Sequence, residues 1–327
     1  MRRRDFIMLL GGAAAVPIAW AAAVRTQEAG RTYRIGGLSI SPRDAPYVVA
    51  IFDELQRLGF IEGQNLTIHW REYGLRIGPI SEFAAELAKT RVNVILALGE
   101  PGIRAAQRAT ASIPIVGSAD DMVGSGLVRS LARPGGNTTG ISILATELDG
   151  KRQEILTEAV PRLRRMAVLA NSNITAPLRL KALEDAARAR GVELSIHQIA
   201  RQEEIPAAID AAKASGAAAL NVLASPILGS NRPIILQRVA ALRLPAMYQW
   251  PEAARQGGLV AYGPSLVETF RELMTPLLVK LLRGAKPADL PVEQPTKFEL
   301  AINLKTAKAL GLAIPESFLV RAEEVIE

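Results

Sequence analysis

The chain has 327 residues and no cysteine, 49% of its residues are hydrophobic and 5% aromatic, and its formal net charge is +7. This length suits two compact domains of roughly 150 residues each, and the missing cysteines exclude disulfide bonds, a thiolate nucleophile and cysteine-ligated metals. The basic residues are scattered rather than gathered into a stripe with aromatic residues, which disfavours nucleic acid as a partner.

Residues 1–23 are predicted to form an export signal. Three arginines at positions 2–4 precede an uncharged apolar stretch over residues 6–24, which is the pattern of a secretory signal peptide. Residues 3–7 read RRDFI and resemble the twin-arginine (Tat) export motif. A retained membrane anchor is the alternative, which a proline and two glycines inside the stretch disfavour. We therefore expect a periplasmic protein that is exported by the Tat route.

From residue 33 onward, strand-like apolar runs alternate with helical patterns. In the first series, strands are predicted over residues 33–38, 65–70, 92–98 and 113–117, and helices over 46–58, 80–89 and 103–110. This alternation favours a parallel sheet that is covered by helices on both faces.

A turn-rich segment over residues 135–140 then indicates a domain crossing. This segment leads into residues 141–144, after which the alternation restarts. The second series has strands over residues 166–170, 193–199 and 218–223 and near 246 and 259, with helices over 177–190, 205–215 and 233–242. A helix over 266–282, a proline-rich segment, a strand over 298–302 and a helix over 305–310 follow. We therefore expect lobe 1 to contain residues 31–143 plus about 264–290, and lobe 2 to contain 144–263 plus about 291–327, with several chain crossings forming a hinge.

Enzyme signatures are largely missing. The only two histidines, His69 and His197, lie on the polar sides of alternating strands, which favours exposed side chains over metal ligands. A G-x-S-x-G elbow and a phosphate-binding loop are absent, and the G-x-G at residues 124–126 lacks a third glycine. We expect no catalytic residue, no cofactor and no metal site.

Polar loops follow the ends of the predicted strands, where open α/β sheets bind ligands. The candidate ligand-binding residues in these loops are Ser39, Glu100, Pro101, Ser118, Asp120, Asp121, Asn171, Asn173, Ser225, Tyr248 and Trp250. The alternative for the small polar residues is helix capping, and the two aromatic residues either stack on a flat ligand or fill the lobe edge. Asp120 and Asp121 are favoured because adjacent carboxylates are costly unless they are solvated or paired with a cation.

Three stretches resemble the ABC transporter substrate-binding proteins that include tryptophan- and tyrosine-binding receptors. They are residues 58–65 (LGFIEGQN), 131–140 (LARPGGNTTG) and 294–312 (QPTKFELAINLKTAKALGL). The resemblance implies a type I periplasmic-binding fold, in which two Rossmann-like lobes with parallel sheets flanked by helices close on a small-molecule ligand. It also implies an ABC permease in the inner membrane as partner. We expect a monomeric receptor that catalyses nothing.

The chain departs from the family pattern at three cleft positions. Family members usually have a small or hydroxyl residue where Glu100 stands, an Asn-Pro pair where this chain has Asn171 and Ser172, and Asp where it has Ser225. A carboxylate at Glu100 would repel an anion and attract a cationic group. We therefore expect a small amine-bearing or polar solute, with an amino acid as one candidate. The alternatives are a periplasmic sensor for a membrane signalling partner and a periplasmic enzyme that uses Glu100, Asp120 or Asp121 as acid or base.

Overall fold

The computed structural model describes residues 31–327 apart from 75–77. The predicted export signal lies outside the described residues. Within the described part of the chain, no helix combines the length and the apolar character that crossing a membrane requires.

Lobe 1 is built on a parallel sheet of five strands in the order β2-β1-β3-β4-β5. The strands are β1 (Tyr33–Ser39), β2 (Leu66–Glu72), β3 (Val94–Leu98), β4 (Ile115–Ala119) and β5 (Thr138–Ser142), and the helices between them are α1 (Pro46–Arg57), α2 (Ile80–Lys89) and α3 (Glu100–Ala109). Strands β3 and β4 are buried along their whole length, because helices cover both faces of a parallel sheet.

Close strand packing in lobe 1 depends on one glycine of the 131–140 stretch. Gly140 has a φ of 153°, and a Cβ at this position would lie 1.9 Å from the carbonyl oxygen of Gly117 in the neighbouring strand. A side chain would therefore push β5 away from β4. This approach gives a physical reason for the glycine that ends the stretch.

Lobe 2 begins directly after the first crossing. Its first strands are β6 (Arg165–Asn171), β7 (Glu193–Ile199), β8 (Ala219–Val222), β9 (Ala246–Tyr248) and β10 (Val260–Gly263). The helices are α4 (Asp149–Ala159), α5 (Pro177–Ala189), α6 (Ile205–Ala214), α7 (Pro226–Ser230), α8 (Arg232–Ala241) and α9 (Glu252–Arg255). Proline stands in the first turn of α5, α6, α7 and α8, where its missing N–H group has no helical partner to lose.

The chain then returns to lobe 1 as a helix with a widened turn. Helix α10 (Leu266–Thr269) leads through a π-helical turn (Phe270–Met274) into α11 (Thr275–Leu282). Pro276 lacks an N–H group and crowds the preceding turn, and the Thr275 hydroxyl donates to the Phe270 carbonyl at 3.0 Å. Phe270 and Leu278 pack with Ile35 in the lobe 1 core.

The last part of the chain passes along lobe 1 before it completes the sheet of lobe 2. The amide of Glu293 donates to the Gly140 carbonyl at 2.9 Å, and the amide of Ser142 donates to the Glu293 carbonyl at 2.9 Å. Strand β11 (Glu299–Asn303), helices α12 (Leu304–Leu310) and α13 (Glu316–Leu319) and strand β12 (Glu324–Ile326) follow. The lobe 2 sheet has the order β12-β11-β10-β9-β8-β6-β7.

The predicted fold class, two α/β lobes with parallel sheets flanked by helices, is confirmed, with one correction. Strands β10 and β11 pair antiparallel, so the lobe 2 sheet is not parallel throughout. Helix α4 was not predicted because its buried side chains include Asp149, Arg152 and Gln153 beside Ile155 and Leu156. A helix with such a mixed buried face has no apolar periodicity to detect.

Candidate ligand-binding cleft

Loops of the two lobes line a partly open cavity of about 350 Å³. Lobe 1 contributes Ile40, Ser41, Pro42, Glu72 and Gly74, and lobe 2 contributes Gln202, Ser230 and Asn231. The loops after β1 and β2 therefore face the segments after β7 and α7 across the cleft. This is the position in which open α/β sheets present ligand sites.

A larger depression of about 580 Å³ lies at the C-terminal strands. Its lining includes Arg255, Lys297, Phe298 and Glu324. The side chains come from α9, from the segment that enters β11 and from the last strand, and none comes from the first four strand ends of either sheet. We therefore place the candidate site in the cavity between the lobes.

The predicted serines of lobe 1 are buried at strand ends. Ser39 is the last residue of β1, and its Oγ accepts a hydrogen bond from the Ser41 amide at 3.0 Å. The carbonyl of Ser118 accepts from the Gly99 amide at 2.9 Å. Pro101 is exposed in the first turn of α3. These residues fix the loops that reach the cleft.

Two predicted carboxylates hold loops of lobe 1. Glu100 accepts from Arg104 Nε at 2.9 Å and from Ser125 Oγ at 3.0 Å. Asp121 accepts from the amides of Val123 at 3.1 Å and Gly124 at 2.8 Å. Part of the charge of each carboxylate is thus balanced inside the lobe.

Asp120 links lobe 1 to the first crossing. Its Oδ1 accepts from the amide of Thr146 at 3.0 Å, and its Oδ2 accepts from the hydroxyl of the same residue. Thr146 lies in a short 3₁₀ helix (Ala145–Leu148) just before lobe 2 begins. The Asp120 carboxylate therefore ties the end of β4 to the hinge.

The predicted polar residues of lobe 2 make local contacts. Asn171 Oδ1 accepts from the Asn173 amide at 2.9 Å, and Asn173 Nδ2 donates to the Ala200 carbonyl at 3.1 Å. Ser225 Oγ accepts from the Leu228 amide at 3.2 Å and caps α7. Ser225 therefore caps a helix in this structure, which is the alternative to ligand contact given above for the small polar residues.

The two predicted aromatic residues differ in burial. Tyr248 is 1% exposed in the lobe 2 core, and its hydroxyl has no hydrogen-bond partner in the described part of the chain. Burial raises the pKa of the Tyr248 hydroxyl, and the positive charge of Arg232 opposes that shift. Trp250 is half-buried, and its indole nitrogen lies near Gly229 of α7. Tyr248 therefore fills the lobe interior, and only Trp250 offers surface.

Sequence reasoning missed a buried ion cluster at the start of lobe 2. The Asp149 side chain is 1% exposed and that of Arg152 is fully buried, and Asp149 Oδ1 accepts from Arg152 Nη1 at 2.9 Å. Its Oδ2 accepts from Arg179, whose side chain is 24% exposed, and its Oδ1 also accepts from the Ala224 amide at 3.3 Å. We call these three charged residues, Asp149, Arg152 and Arg179, the hinge cluster.

The hinge cluster joins segments that are distant in sequence. Arg152 donates to the carbonyls of Ala145 at 2.6 Å, Tyr262 at 2.7 Å and Gln249 at 3.3 Å. These carbonyls belong to the first crossing, to the strand before the second crossing and to the loop after β9. Burial raises the pKa of the Asp149 carboxyl, and the two guanidinium groups oppose this shift. A single side chain thus anchors two of the crossings.

The hinge cluster left almost no signal in the sequence. An Asp and an Arg three residues apart on a helix usually form an exposed pair of small energy. Their burial follows from where α4 packs, which the local sequence does not specify.

Within the described residues, no group of three or more His, Cys, Asp or Glu side chains is arranged to hold a metal ion.

Comparisons with known proteins converge on one family. The sequence model for the family described as ABC transporter substrate binding protein matches residues 44–326. A tyrosine-binding protein of Clostridioides difficile (strain R20291) is 27% identical over 263 residues, which cover 79% of this chain and 74% of that protein.

Two solved structures share the fold. A conserved domain protein from Vibrio cholerae O1 biovar El Tor has a TM-score of 0.80 at 23% identity, over 90% of this chain and 100% of that one. A Streptococcus pneumoniae ABC domain in complex with L-Trp has a TM-score of 0.77 at 23% identity, over 89% of this chain and 100% of that one.

Proposed function

The chain belongs to the ABC transporter substrate-binding proteins, and we propose that it is the periplasmic solute-binding component of an ABC import system. The family resemblance predicted from three sequence stretches is confirmed, and so is the type I periplasmic-binding fold. The observation that carries the proposal is the cavity whose walls come from loops of both lobes. A solute held there contacts both lobes at once.

The ligand we propose is a small amine-bearing or polar solute, with amino acids as the first class to test. A relative named for tyrosine binding and a similar fold in complex with L-Trp support this choice. The cavity of about 350 Å³ falls in the range typical of small-molecule sites. Glu72 presents an exposed carboxylate to the cavity, which suits a ligand that carries an amine.

We propose that the loops carrying the predicted site residues surround the solute when the lobes close. These residues are Ser39, Glu100, Pro101, Ser118, Asp120, Asp121, Asn171, Asn173, Ser225, Tyr248 and Trp250. Most of them act by shaping loops, because their side chains are already bonded within their own lobe or to the hinge. The hinge consists of three crossings at about residues 143–145, 263–265 and 294–298.

Ligand contacts to both lobes select the closed arrangement over the open one. Members of this family bind substrates, and we propose that this chain releases its solute unchanged to an ABC permease. Its route to the periplasm is the Tat pathway, as the RRDFI motif at residues 3–7 indicates.

Native mass spectrometry of the purified chain tests the proposal. We expect one small solute per chain, released unchanged on denaturation, and stabilisation of the emptied protein by the same compound in a thermal-shift screen of amino acids, amines and purines. Conversion of the added compound to a product would contradict a receptor role. Stabilisation by purely anionic compounds alone would contradict an amine-bearing ligand.

A further inference from the structure

One part of the lobe 2 wall of the cavity is the end of the short helix α7. Ser230, its last residue, and the following Asn231 line the cavity. Asn231 is buried, and its Nδ2 donates to the Ile227 carbonyl one turn earlier at 2.8 Å. The Ser225 hydroxyl caps the start of the same helix. A helix of five residues has little stability of its own, so the position of this wall depends on what holds the segment before Ser225.

Two side chains of lobe 2 hold that preceding segment. The Ala224 amide donates to Asp149 Oδ1 at 3.3 Å. The Leu223 carbonyl accepts from Gln249 Nε2 at 2.5 Å, and the carbonyl of Gln249 accepts from Arg152 at 3.3 Å. Both contacts therefore lead from the start of α7 into the hinge cluster.

The hinge cluster also contacts the first crossing. Arg179 Nη2 donates to the Thr146 carbonyl at 2.7 Å, and the same nitrogen donates to Asp149 Oδ2. Thr146 is the residue that Asp120 of lobe 1 holds through its amide and its hydroxyl. A series of hydrogen bonds thus runs from lobe 1 to the lobe 2 wall. We call it the interlobe connection, and its members in order are Asp120, Thr146, Arg179, Asp149 and Ala224.

The lobe 2 part of the interlobe connection is largely shielded from water. The side chain of Asp149 is buried, and that of Arg179 is only partly exposed. A buried polar group that loses a partner cannot replace it with water without cost. A shift of Thr146 is therefore expected to move Arg179 with it, and the carboxylate of Asp149 passes the movement to the Ala224 amide.

We propose that Asp149 and Arg179 are positioning residues, which place the lobe 2 wall of the cavity according to the position of the first crossing. Through them, the movement of lobe 1 reaches Ser230 and Asn231. This inference rests on the proposed receptor function and adds to it how the hinge and the cavity are coupled. A merely structural hinge cluster would stabilise lobe 2 without responding to a change in lobe 1.

Hydrogen–deuterium exchange of the emptied protein, followed by mass spectrometry, tests the connection from its lobe 1 end. Asp120→Ala is expected to speed exchange over residues 223–231 by about threefold or more, because the Ala224 amide loses a fixed acceptor. Strand β7, in the same lobe, is expected to exchange at the wild-type rate. Asp121→Ala is the matched control, because Asp121 accepts from the amides of Val123 and Gly124 in its own loop. We expect it to leave exchange over residues 223–231 unchanged.

A second pair of variants tests the middle of the connection. Arg179→Gln leaves Asp149 paired with Arg152, and it is expected to speed exchange over residues 223–231 by a similar factor. Arg179→Lys keeps the charge but not the fork of donors, and it is expected to restore part of the protection. Arg188→Gln is the control, because Arg188 lies on the same helix and pairs with Asp185 on its exposed face.

Isothermal titration with L-tyrosine and L-tryptophan as probes measures the effect on the cavity. For a probe that binds the wild-type protein, Arg179→Gln is expected to weaken binding by about fivefold, because the cavity wall is no longer held in place. Arg179→Lys is expected to lose less affinity, and Arg188→Gln is expected to bind as the wild type does. Circular dichroism confirms that each variant is folded.

Three outcomes overturn the inference. The first is wild-type exchange over residues 223–231 in both Asp120→Ala and Arg179→Gln. The second is a rise of equal size over residues 193–199 of β7, which would show general destabilisation. The third is unchanged probe affinity in Arg179→Gln. Because exchange is measured without a ligand, a failure of both amino acids to bind the wild-type protein counts against the proposed ligand class, and the exchange results still decide the inference.

Discussion

Two acid–base pairs, one in each lobe, differ sharply in their burial. In lobe 1, Glu100 and its partner Arg104 are both partly exposed, with side-chain exposures of 42% and 41%. In lobe 2, Asp149 and Arg152 form the same kind of pair almost without solvent contact. Exposed pairs contribute little to stability, whereas breaking a buried pair leaves an uncompensated charge. The carboxylates of these two pairs therefore have different roles.

Charged residues near the cleft also differ in whether an internal partner already occupies them. Most charged groups near the cleft are bonded within the protein: Glu100 and Asp121 to their own loops, and Asp120 to the hinge. Glu72 is the exception, because it lines the cavity and forms no ion pair with a described residue. Polarity at a strand end is thus a weaker guide to ligand contact than the lack of an internal partner.

The largest expected effect comes from breaking the hinge cluster. Asp149→Asn removes the carboxylate and leaves the guanidinium of Arg152 buried without its counter-charge. We expect the free energy of unfolding to fall by about 3–5 kcal/mol, measured by urea denaturation.

Asp185→Asn is the control for this change. Asp185 pairs with Lys181 and Arg188 on the exposed face of α5, and its substitution is expected to cost less than about 1 kcal/mol. Equal losses of unfolding free energy in the two variants would contradict the proposed difference between buried and exposed carboxylates.

An intermediate effect is expected at the link between lobe 1 and the first crossing. Asp120→Ala removes both hydrogen bonds to Thr146, and we expect a loss of about 1–3 kcal/mol. Thr146→Val removes only the hydroxyl bond and is expected to cost less. Small-angle X-ray scattering of the ligand-free variants then reports whether the lobes separate more widely. An Asp120→Ala variant with wild-type stability and radius of gyration would contradict a hinge role.

The smallest effect is expected at Glu100. Glu100→Gln breaks an exposed pair with Arg104, so unfolding free energy is expected to change by about 0.5 kcal/mol or less. Because Arg104 already balances the charge, the affinity for an amine-bearing solute is expected to change by less than about threefold, in contrast to Glu72→Gln. Isothermal titration calorimetry of the Glu100→Gln and Glu72→Gln variants measures both changes in affinity. A larger loss of affinity in Glu100→Gln would indicate that Glu100 itself contacts the solute.

Much of the fold follows from local patterns in the sequence. Strands such as β3 and β4 are continuous apolar runs, and α12 ends at Gly311, whose φ of 73° suits glycine. Every helix of seven or more residues except α4 was predicted, whereas the short helices α7, α9 and α13 were not. Helix α4 was not predicted because its buried face is largely polar. The antiparallel direction of β11 was not predicted because it depends on how the chain returns from lobe 1.

The site was harder to predict than the fold. The polar residues at the strand ends were correctly located in the sequence. Whether they can contact a ligand depends on internal hydrogen-bond partners, such as Arg104, Thr146 and the amides after Asp121, which the sequence does not reveal. Glu72 carries no motif, and it becomes a candidate only because the loops after β1 and β2 line one cavity together with residues of lobe 2. Tertiary placement of single charges leaves no periodic trace in a sequence.

A crystal structure of the chain with its co-purified solute tests the central claim most directly. The account predicts one solute in the cavity between the lobes, contacting Ser41 or Glu72 on one side and Ser230 or Asn231 on the other. A solute bound by one lobe alone, or seated in the depression beside Arg255 and Phe298, would contradict it.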